Sequence, residues 1–323
     1  MLTETRELVR NTLTKGHYPK TELFVQHFQE QFGDSLLAVI FYGSCLSDRT
    51  RSETSFLDFF LIADTYDTFY KKWSHKKANA LIPPAVFYLE LEDENGQKRS
   101  CKYCVISMHD LQIQTSEQAK DFYHLGRFSK RIAILHAKEE WISNQIADVH
   151  LSAWQTLTPH ALVATSNSFF VPDFVKSMLA LSYRGEIRLE QTEEKVAALY
   201  EAEKEYYDQG LAVVLEQYMK NHRDQFKVQE QADAPGMYIQ RRTPVQRAQQ
   251  MRKLDKFFTR SKRRAKMRWP LMMFTVEGWI DILLAKLERT YGTKLELKAY
   301  ERRFFMIFGW KHYFRLRKEG KVK

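Results

Sequence analysis

Apolar positions follow two rhythms along this chain, and the change comes about a third of the way in. Thr21 to Gln31 sets Leu23, Phe24, His27 and Phe28 at helical spacing, which predicts a short amphipathic helix stopping at Gly33. Leu36 to Tyr42 and Phe56 to Ile62 are unbroken apolar runs of strand length, and Tyr66 to Ala80 suits a helix rich in Lys and aromatics. In "AVFYLELED" the residues Phe87, Leu89 and Leu91 alternate with Tyr88, Glu90 and Glu92; Asn95-Gly96 then signals a two-residue hairpin, and "KRSCKYCVIS" returns as the partner strand.

From Met108 the period becomes helical, over 108–125, 130–147, 160–181 and 191–225, with a strand-like interruption at Glu186 to Leu189. "QEQADAPGMY", 229–238, has the composition of a linker. The pattern predicts an α/β (α+β) unit over 1–112 with a mixed or antiparallel sheet, a mainly helical partner over 113–235, for which a winged-helix arrangement is one form, and a basic helical region over 236–323.

Charge sharpens that division. Of the 323 residues, 241–323 hold 24 Lys and Arg against 7 Asp and Glu, so the rest of the chain carries 26 against 33. The net charge of +10 therefore belongs to the tail, and its segregation points to a polyanionic partner, either nucleic acid or anionic lipid. No uncharged apolar run approaches the ~20 residues of a spanning helix. Three cysteines, Cys45, Cys101 and Cys104, make no complete disulfide set, and without a secretory signal a reducing compartment is expected. Cys101 and Cys104 have CxxC spacing, yet neither a second CxxC nor a nearby His pair accompanies them, which favours two packed thiols over a zinc or redox site.

One carboxylate stands out. Asp58 lies inside Phe56-Leu57-Asp58-Phe59-Phe60-Leu61-Ile62, where an unpaired charge is costly to bury. It follows Gly43-Ser44 by one loop. Strand, Gly-Ser, loop and then an acid on the next strand is the arrangement of the nucleotidyltransferase fold of the DNA polymerase beta type. There, Gly lets the backbone approach a phosphate, amide N–H groups and the Ser hydroxyl cradle the triphosphate, and the acid holds Mg²⁺. Most enzymes of that fold carry Asp-x-Asp; here Phe60 stands at the second position. Glu90, with Glu92 on the same side of a neighbouring strand, or Asp64, is a candidate for the further metal ligand.

Five blocks then occur in order: "FYGS", "LDFFLIAD", "KYCVISMHDL", "FYHLGRFSKR" and "LALSYRGEIRL". In order and spacing they resemble the phosphatidate cytidylyltransferases of the mitochondrial translocator assembly and maintenance protein family, over about residues 36–200. Members of that family show a Tyr-Gly-Ser-Gly turn, an Asp followed by apolar residues with no second Asp, a Lys-Tyr-Gly-Val-Ile-Ser strand, a Gly-Arg-x-x-Lys segment and a Leu-Ser-Tyr-x-Gly-Asp-Phe-Arg segment. This chain departs at Cys45 and Cys104, which replace glycines, and at Glu186-Ile187.

The resemblance implies transfer of CMP from CTP to phosphatidic acid, giving CDP-diacylglycerol and pyrophosphate, with Mg²⁺. It implies that Gly43 and Ser44 hold the triphosphate and Asp58 the metal. Lys102, Arg127 and Lys130 would answer phosphate charge, Arg184 or Arg188 would join them, and Tyr103 and Tyr183 would pack or contact the base. Lack of a transit sequence suggests the cytoplasmic face of a bacterial inner membrane, or the matrix side of the mitochondrial one in a eukaryote.

The tail fits such a substrate. Val245, Ala248, Met251, Leu254, Phe257 or Phe258, Ala265 and Trp269 recur at near-helical spacing among cations, Pro270 suits the first turn of a second helix with Trp279, Ile280, Leu283, Leu284 and Leu287, and "ERRFFMIFGWKHYFRLRK" packs aromatics between Lys and Arg. Such a composition suits a peripheral anchor on an anionic membrane surface through 245–318. The bland alternative is a set of helices docked on the catalytic part. A nucleotidyltransferase acting on RNA or tRNA through the same cations, or a non-catalytic nucleotide-binding module, are the rival functions; with the lipid reading no nucleic acid partner is expected.

Overall fold

Leu36–Tyr42 (β1) is buried along nearly its whole length, as a central strand between two packed layers must be. In the computed structural model, which describes residues 2–46, 57–70, 85–184, 192–229, 236–275 and 295–318 with 280, 284, 287 and 288 between them, β1 pairs antiparallel with Leu57–Ala63 (β2) on one side and with Ala133–Ala137 (β5) on the other. Strand β2 pairs parallel with Lys98–Ser107 (β4), which pairs antiparallel with Ala85–Glu92 (β3), so the mixed sheet runs β3-β4-β2-β1-β5. The fold class is α/β.

Helix α1 (Leu2–Thr14) precedes α2 (Pro19–Phe32), which ends at Gly33 as the pattern predicts. Phe24 and Phe28 of α2 cover one sheet face, against Phe41, Phe59, Leu61, Cys101 and Val105. The opposite face, with Ile40, Phe60, Ile62, Cys104 and Ile106, belongs to the larger core. Helices α4 (Met108–Gln114), α5 (Phe122–Phe128), α6 (Glu140–Ala164), α7 (Val171–Arg184) and α9 (Lys204–Asn221) contribute to that core, with α8 (Thr192–Ala202) packing on α7; the short α3 (Tyr66–Phe69) joins the first face through Phe69. Ser168–Phe169 (β6), Phe226–Gln229 (β7) and Met237–Gln240 (β8) make a small antiparallel sheet in the order β6-β8-β7.

Several expectations change. The 130–147 segment is not one helix: Ala133–Ala137 is a sheet strand, because a short apolar run fits a buried strand and a helix equally until its partners are known. The 108–125 helix is broken in two, since Ser107 and Asp121 each cap a separate N-terminus. The hairpin turn is longer than two residues: Asp93 accepts from the amides of Asn95 and Gln97, and Gly96 takes φ 72°. The strand-like piece at 186–189, most of 66–80, Trp279 and Leu283 lie outside the described residues.

The chain divides into two compact units, Met1–Leu271 and Met272–Lys323. The division expected at 112/113 and 235/236 does not coincide with that boundary, because one core runs from Val9 through Trp154 to Phe258. Helix α10 (Pro244–Thr275) continues through Pro270, where a second helix was expected to begin. Its Leu254 and Phe258 are buried in the large core, Arg247 donates to the carbonyls of Val163 and Thr165, and Asp255 pairs with Arg184. From Met251 to Phe258 the apolar stripe predicted to meet a membrane is therefore docked on protein, the bland alternative for that stretch, whereas Val245 and Ala248 are exposed. Its other face exposes Arg252, Lys253, Lys256, Arg260, Lys262, Arg263 and Lys266.

In the second unit α11 (Ala299–Arg303) leads into α12 (Phe305–Lys318). Its inner side holds Leu316, with the His312 Nε2 to Glu301 Oε1 contact at 3.1 Å. Its outer side exposes Phe304, Ile307, Trp310 and Phe314, the last three at i, i+3 and i+7, beside Arg303, Lys311 and Arg315. Among the described residues no helix is long and apolar enough to cross a membrane.

Candidate active site

Register places the central acid. Asp58 is the second residue of β2, with Tyr42 of β1 across from it on one side and Lys102 of β4 on the other. Side chains alternate along strands, so Tyr42, Asp58 and Lys102 lie on one face, and Ile40, Phe60 and Cys104 form the next row inward. Asp58 and Lys102 are half-buried, whereas Phe60 is fully buried. The missing second carboxylate is thereby explained by position. Phe60 stacks on Tyr42 with centroids 4.4 Å apart and packs on Phe128 at 5.4 Å, so this row is dry core.

Directly after Tyr42 the chain turns at Gly43, with φ 93°, a conformation that L side chains rarely adopt. A Cβ built there would lie 2.9 Å from Asp58 Oδ2, so glycine is required twice over, for the turn and for the approach of backbone to carboxylate. Ser44 begins a 3₁₀ turn, Ser44–Leu46, closed by the Leu46 amide on the Gly43 carbonyl. Its side chain lies outside the described residues.

The cations come from α5 and the turn after it. Asp121 caps α5 by accepting from the Tyr123 amide at 2.9 Å. Gly126 brings α5 close to α7, since a Cβ there would meet the Ser182 carbonyl oxygen at 3.2 Å and the Phe122 ring at 2.9 Å. Arg127 then lies with its guanidinium carbon 3.7 Å from the Tyr123 ring centroid and 5.8 Å from that of Tyr42, and Nη1 donates to the Tyr123 carbonyl. Cys104 Sγ sits between the hydroxyls of Tyr123, at 3.2 Å, and Tyr42, at 3.8 Å. Burial raises the Cys104 thiol pKa; among the smaller influences Arg127 lowers it and Asp58 raises it, so both charges reach this sulfur. Burial likewise pushes the Tyr42 phenol well above its ordinary value, keeping it neutral.

Lys130 is set by the loop that holds it. Trp154 Nε1 donates to the Ser129 carbonyl and the Arg131 amide donates to Tyr207 Oη, each at 2.9 Å, while Arg131 pairs with Glu203. The Lys130 ammonium lies 4.7 Å over the Tyr183 ring.

Asp58, Gly43, Lys102 and Arg127 thus gather where β1 ends and β2 begins, whereas Tyr103, Glu90, Asp64 and Arg184 lie elsewhere. Tyr103 points to the opposite face, stacked on Phe87 and packed on Phe28, each with centroids 5.1 Å apart. Its place is in an aromatic core, not against a nucleotide on the Asp58 side. Glu90 is on the Asp58 face but two strands and one pleat away, with Cα atoms on the order of 12 Å apart, and its carboxylate pairs with Lys98 at 2.9 Å. Asp64 stands past the other end of β2. Arg184 is engaged by Asp255 at 2.6 Å and lies over Phe258; Arg188 is outside the described residues. Cys101 and Cys104 fall on opposite faces, each in its own core cluster, so their spacing builds no shared metal site. Among the described residues no group of three or more His, Cys, Asp or Glu could hold a metal. Asp58 alone still fits Mg²⁺, which binds through one or two carboxylates together with substrate phosphates and water.

Sequence reasoning missed Tyr42 and Tyr123 as parts of this site. The i to i+4 spacing of Tyr123 and Arg127 on one helix is the signal that could have found their stacking.

A strand end that gathers one acid and two cations around a glycine turn is suited to phosphoryl chemistry. The family described as "Phosphatidate cytidylyltransferase, mitochondrial" matches residues 75–271, more than half of the chain, and the chain belongs to that family. The class of enzyme is accordingly a CTP:phosphatidate cytidylyltransferase, a nucleotidyltransferase that forms CDP-diacylglycerol. No individual curated protein matches it. The match takes in Lys102, Arg127 and Lys130 and ends at the boundary of the first unit, within α10; Gly43, Ser44 and Asp58 precede it and rest on the strand register.

Proposed function

We propose that the Asp58 strand end is where CMP passes from CTP to phosphatidic acid, by a nucleotidyltransferase fold of the DNA polymerase beta type working at a membrane surface. The observation that supports it best is the register Tyr42–Asp58–Lys102, set against the Gly43 turn inside a chain of this family. The lipid phosphate monoester oxygen forms the new bond to the α-phosphorus of CTP, and the bond from that phosphorus to the bridging oxygen of the β-phosphate breaks, releasing pyrophosphate. Bound Mg²⁺, with Asp58 as its protein ligand, supplies charge neutralisation at the phosphates. Gly43 leaves room for a phosphate to approach the main chain. Lys102 and Arg127 offset the negative charge of two anionic reactants brought together, which with in-line positioning is the main demand of such a transfer. Lys130, one turn on from Arg127, serves the lipid phosphate or the pyrophosphate.

Attachment to the lipid surface falls to the second unit and the outer face of α10. Aromatics at headgroup depth with cations beside them describe Ile307, Trp310, Phe314, Lys311 and Arg315. The family's description names mitochondria, which favours the matrix-side membrane over the bacterial one. The test is transfer of label from α-labelled CTP with Mg²⁺ to phosphatidic acid vesicles or to tRNA. Label is expected in the lipid, and Asp58→Asn should abolish it with the fold retained; substantial residual turnover in that variant would place the metal elsewhere, and label in tRNA would replace the lipid reading.

A further inference from the structure

Helix α5 carries Tyr123 and Arg127 to the site, yet its N-terminal end is held by a helix more than a hundred residues away. Asp121 is 1% exposed. One of its carboxylate oxygens caps the Tyr123 amide, and the other accepts from Arg264 Nε of α10 at 2.8 Å. Beside it the Phe122 amide donates to Ser261 Oγ at 3.0 Å, and Ser261 is buried as well. The Phe122 ring meets Phe258 and Phe257, with centroids 5.1 and 6.0 Å apart. Two of the amides that a helix N-terminus leaves unsatisfied are therefore satisfied through groups that α10 supplies or braces.

The contacts continue without a gap to the reacting strand end: Arg264 to Asp121, Asp121 to the Tyr123 amide, Tyr123 to the Arg127 guanidinium, and Arg127 over Tyr42, the strand neighbour of Asp58. Arg127 leans on Tyr123 through both ring and carbonyl, so its direction follows the first turn of α5. That turn cannot tilt without breaking the Ser261 and Arg264 bonds. A fork-shaped donor with fixed charge suits the task, since Arg does not lose its proton and its planar group defines an angle.

We propose that Arg264, with Ser261, is a positioning residue for CMP transfer: it locks the Asp121 end of α5 and so fixes Arg127 over Tyr42. The inference rests on the reading of the Asp58 strand end as the reacting site. It gives α10 a part in turnover that is separate from its outward cations, and the family match that ends at residue 271 includes this helix almost whole.

The test uses the full chain with Arg264→Gln, Arg264→Lys and Ser261→Ala. Three quantities are followed: transfer to phosphatidic acid, sedimentation with anionic vesicles, and amide hydrogen exchange across 121–130. For Arg264→Gln we expect kcat to fall about tenfold or more, as small misplacements at a reacting centre do, with KM for CTP within about twofold and vesicle binding unchanged. Exchange at Tyr123 and its neighbours should rise about tenfold, while amides of β1 and β2 stay as protected as before. Arg264→Lys should recover part of both, and Ser261→Ala should reproduce the effect more weakly. Wild-type kcat and exchange in all three variants would overturn the proposal. So would loss of protection throughout the chain in all three, which would make the contact a support of the fold and nothing more. If the unaltered chain transfers no CMP, the reading of the site fails first, and the exchange measurement still decides whether α10 locks α5.

Discussion

Asp58 and Phe60 stand two residues apart on the same face of β2, one half-buried at the start of the strand and the other sealed between Tyr42 and Phe128. A single pleat separates water from dry core. Phe60→Asp, which writes Asp-x-Asp back into the strand, should therefore not add a metal ligand. It removes a buried ring and buries a carboxylate, a loss of about 4 kcal/mol or more, enough to lower the melting temperature by about 10 °C. Melting and Mn²⁺ titration of the purified variant check this; a stable variant that binds metal more tightly would contradict it.

Gly43→Ala tests the other side of the same carboxylate. At φ 93° an alanine is strained by about 1–3 kcal/mol, and its methyl would displace Asp58 Oδ2. Turnover should fall at least about tenfold while thermal unfolding stays cooperative. Kinetics and calorimetry on the variant give the answer, and unaltered kcat would show that Asp58 need not lie against the turn.

Removal of 272–323 should leave a cooperatively melting protein, because the core from Val9 to Phe258 lies wholly in the first unit. Vesicle binding should weaken at least about tenfold, at roughly 1 kcal/mol for each basic residue lost near an anionic surface. The exposed cations of α10 remain, so residual binding should vanish at high salt, whereas the full chain retains the part owed to Ile307, Trp310 and Phe314. Sedimentation at two salt concentrations separates these terms.

His150 gives a pH dependence to stability. It is fully buried, with Nε2 at 2.8 Å from Tyr206 Oη and its ring against Trp154, and burial lowers its pKa to about 3. Between about 3 and 6.5 the unfolded chain binds a proton at this residue and the folded chain does not. Its contribution is therefore complete above pH ~6.5 and is lost as pH falls, at up to about 1.4 kcal/mol per unit. Denaturant midpoints at pH 7, 6 and 5 should decline, and His150→Gln should flatten the slope between 6.5 and 4.5, above the range of most carboxylates. An equal slope in the variant would assign the effect to other groups.

The strands β1 and β2, the β3–β4 pair and helix α2 could be taken from the chain because each has an unambiguous period or a turn residue at its end. Strand β5 could not: Ile132-Ala133-Ile134-Leu135 suits a helix or a strand alike, and only its place beside β1 decides. For the site, the spacing from Gly43 to Asp58 and the motif order of Lys102 and Arg127 pointed to residues that the fold brings together. Of the two roles left open for Tyr103 the structure shows packing, because adjacency to Lys102 in sequence means opposite faces in a strand. The inward stripe of α10 was ambiguous for a physical reason. Leu254 and Phe258 at i and i+4 among cations serve equally against lipid or against protein, and only the buried contacts tell them apart.

The first and last helices of the first unit also share a destiny during synthesis. Val9 and Leu13 belong to the same apolar cluster as Leu254 and Phe258, so the interior that the N-terminal helix enters is completed only by residues more than two hundred positions later. A core closed across such sequence separation is the long-range pattern that slows folding and leaves apolar surface for chaperones to capture.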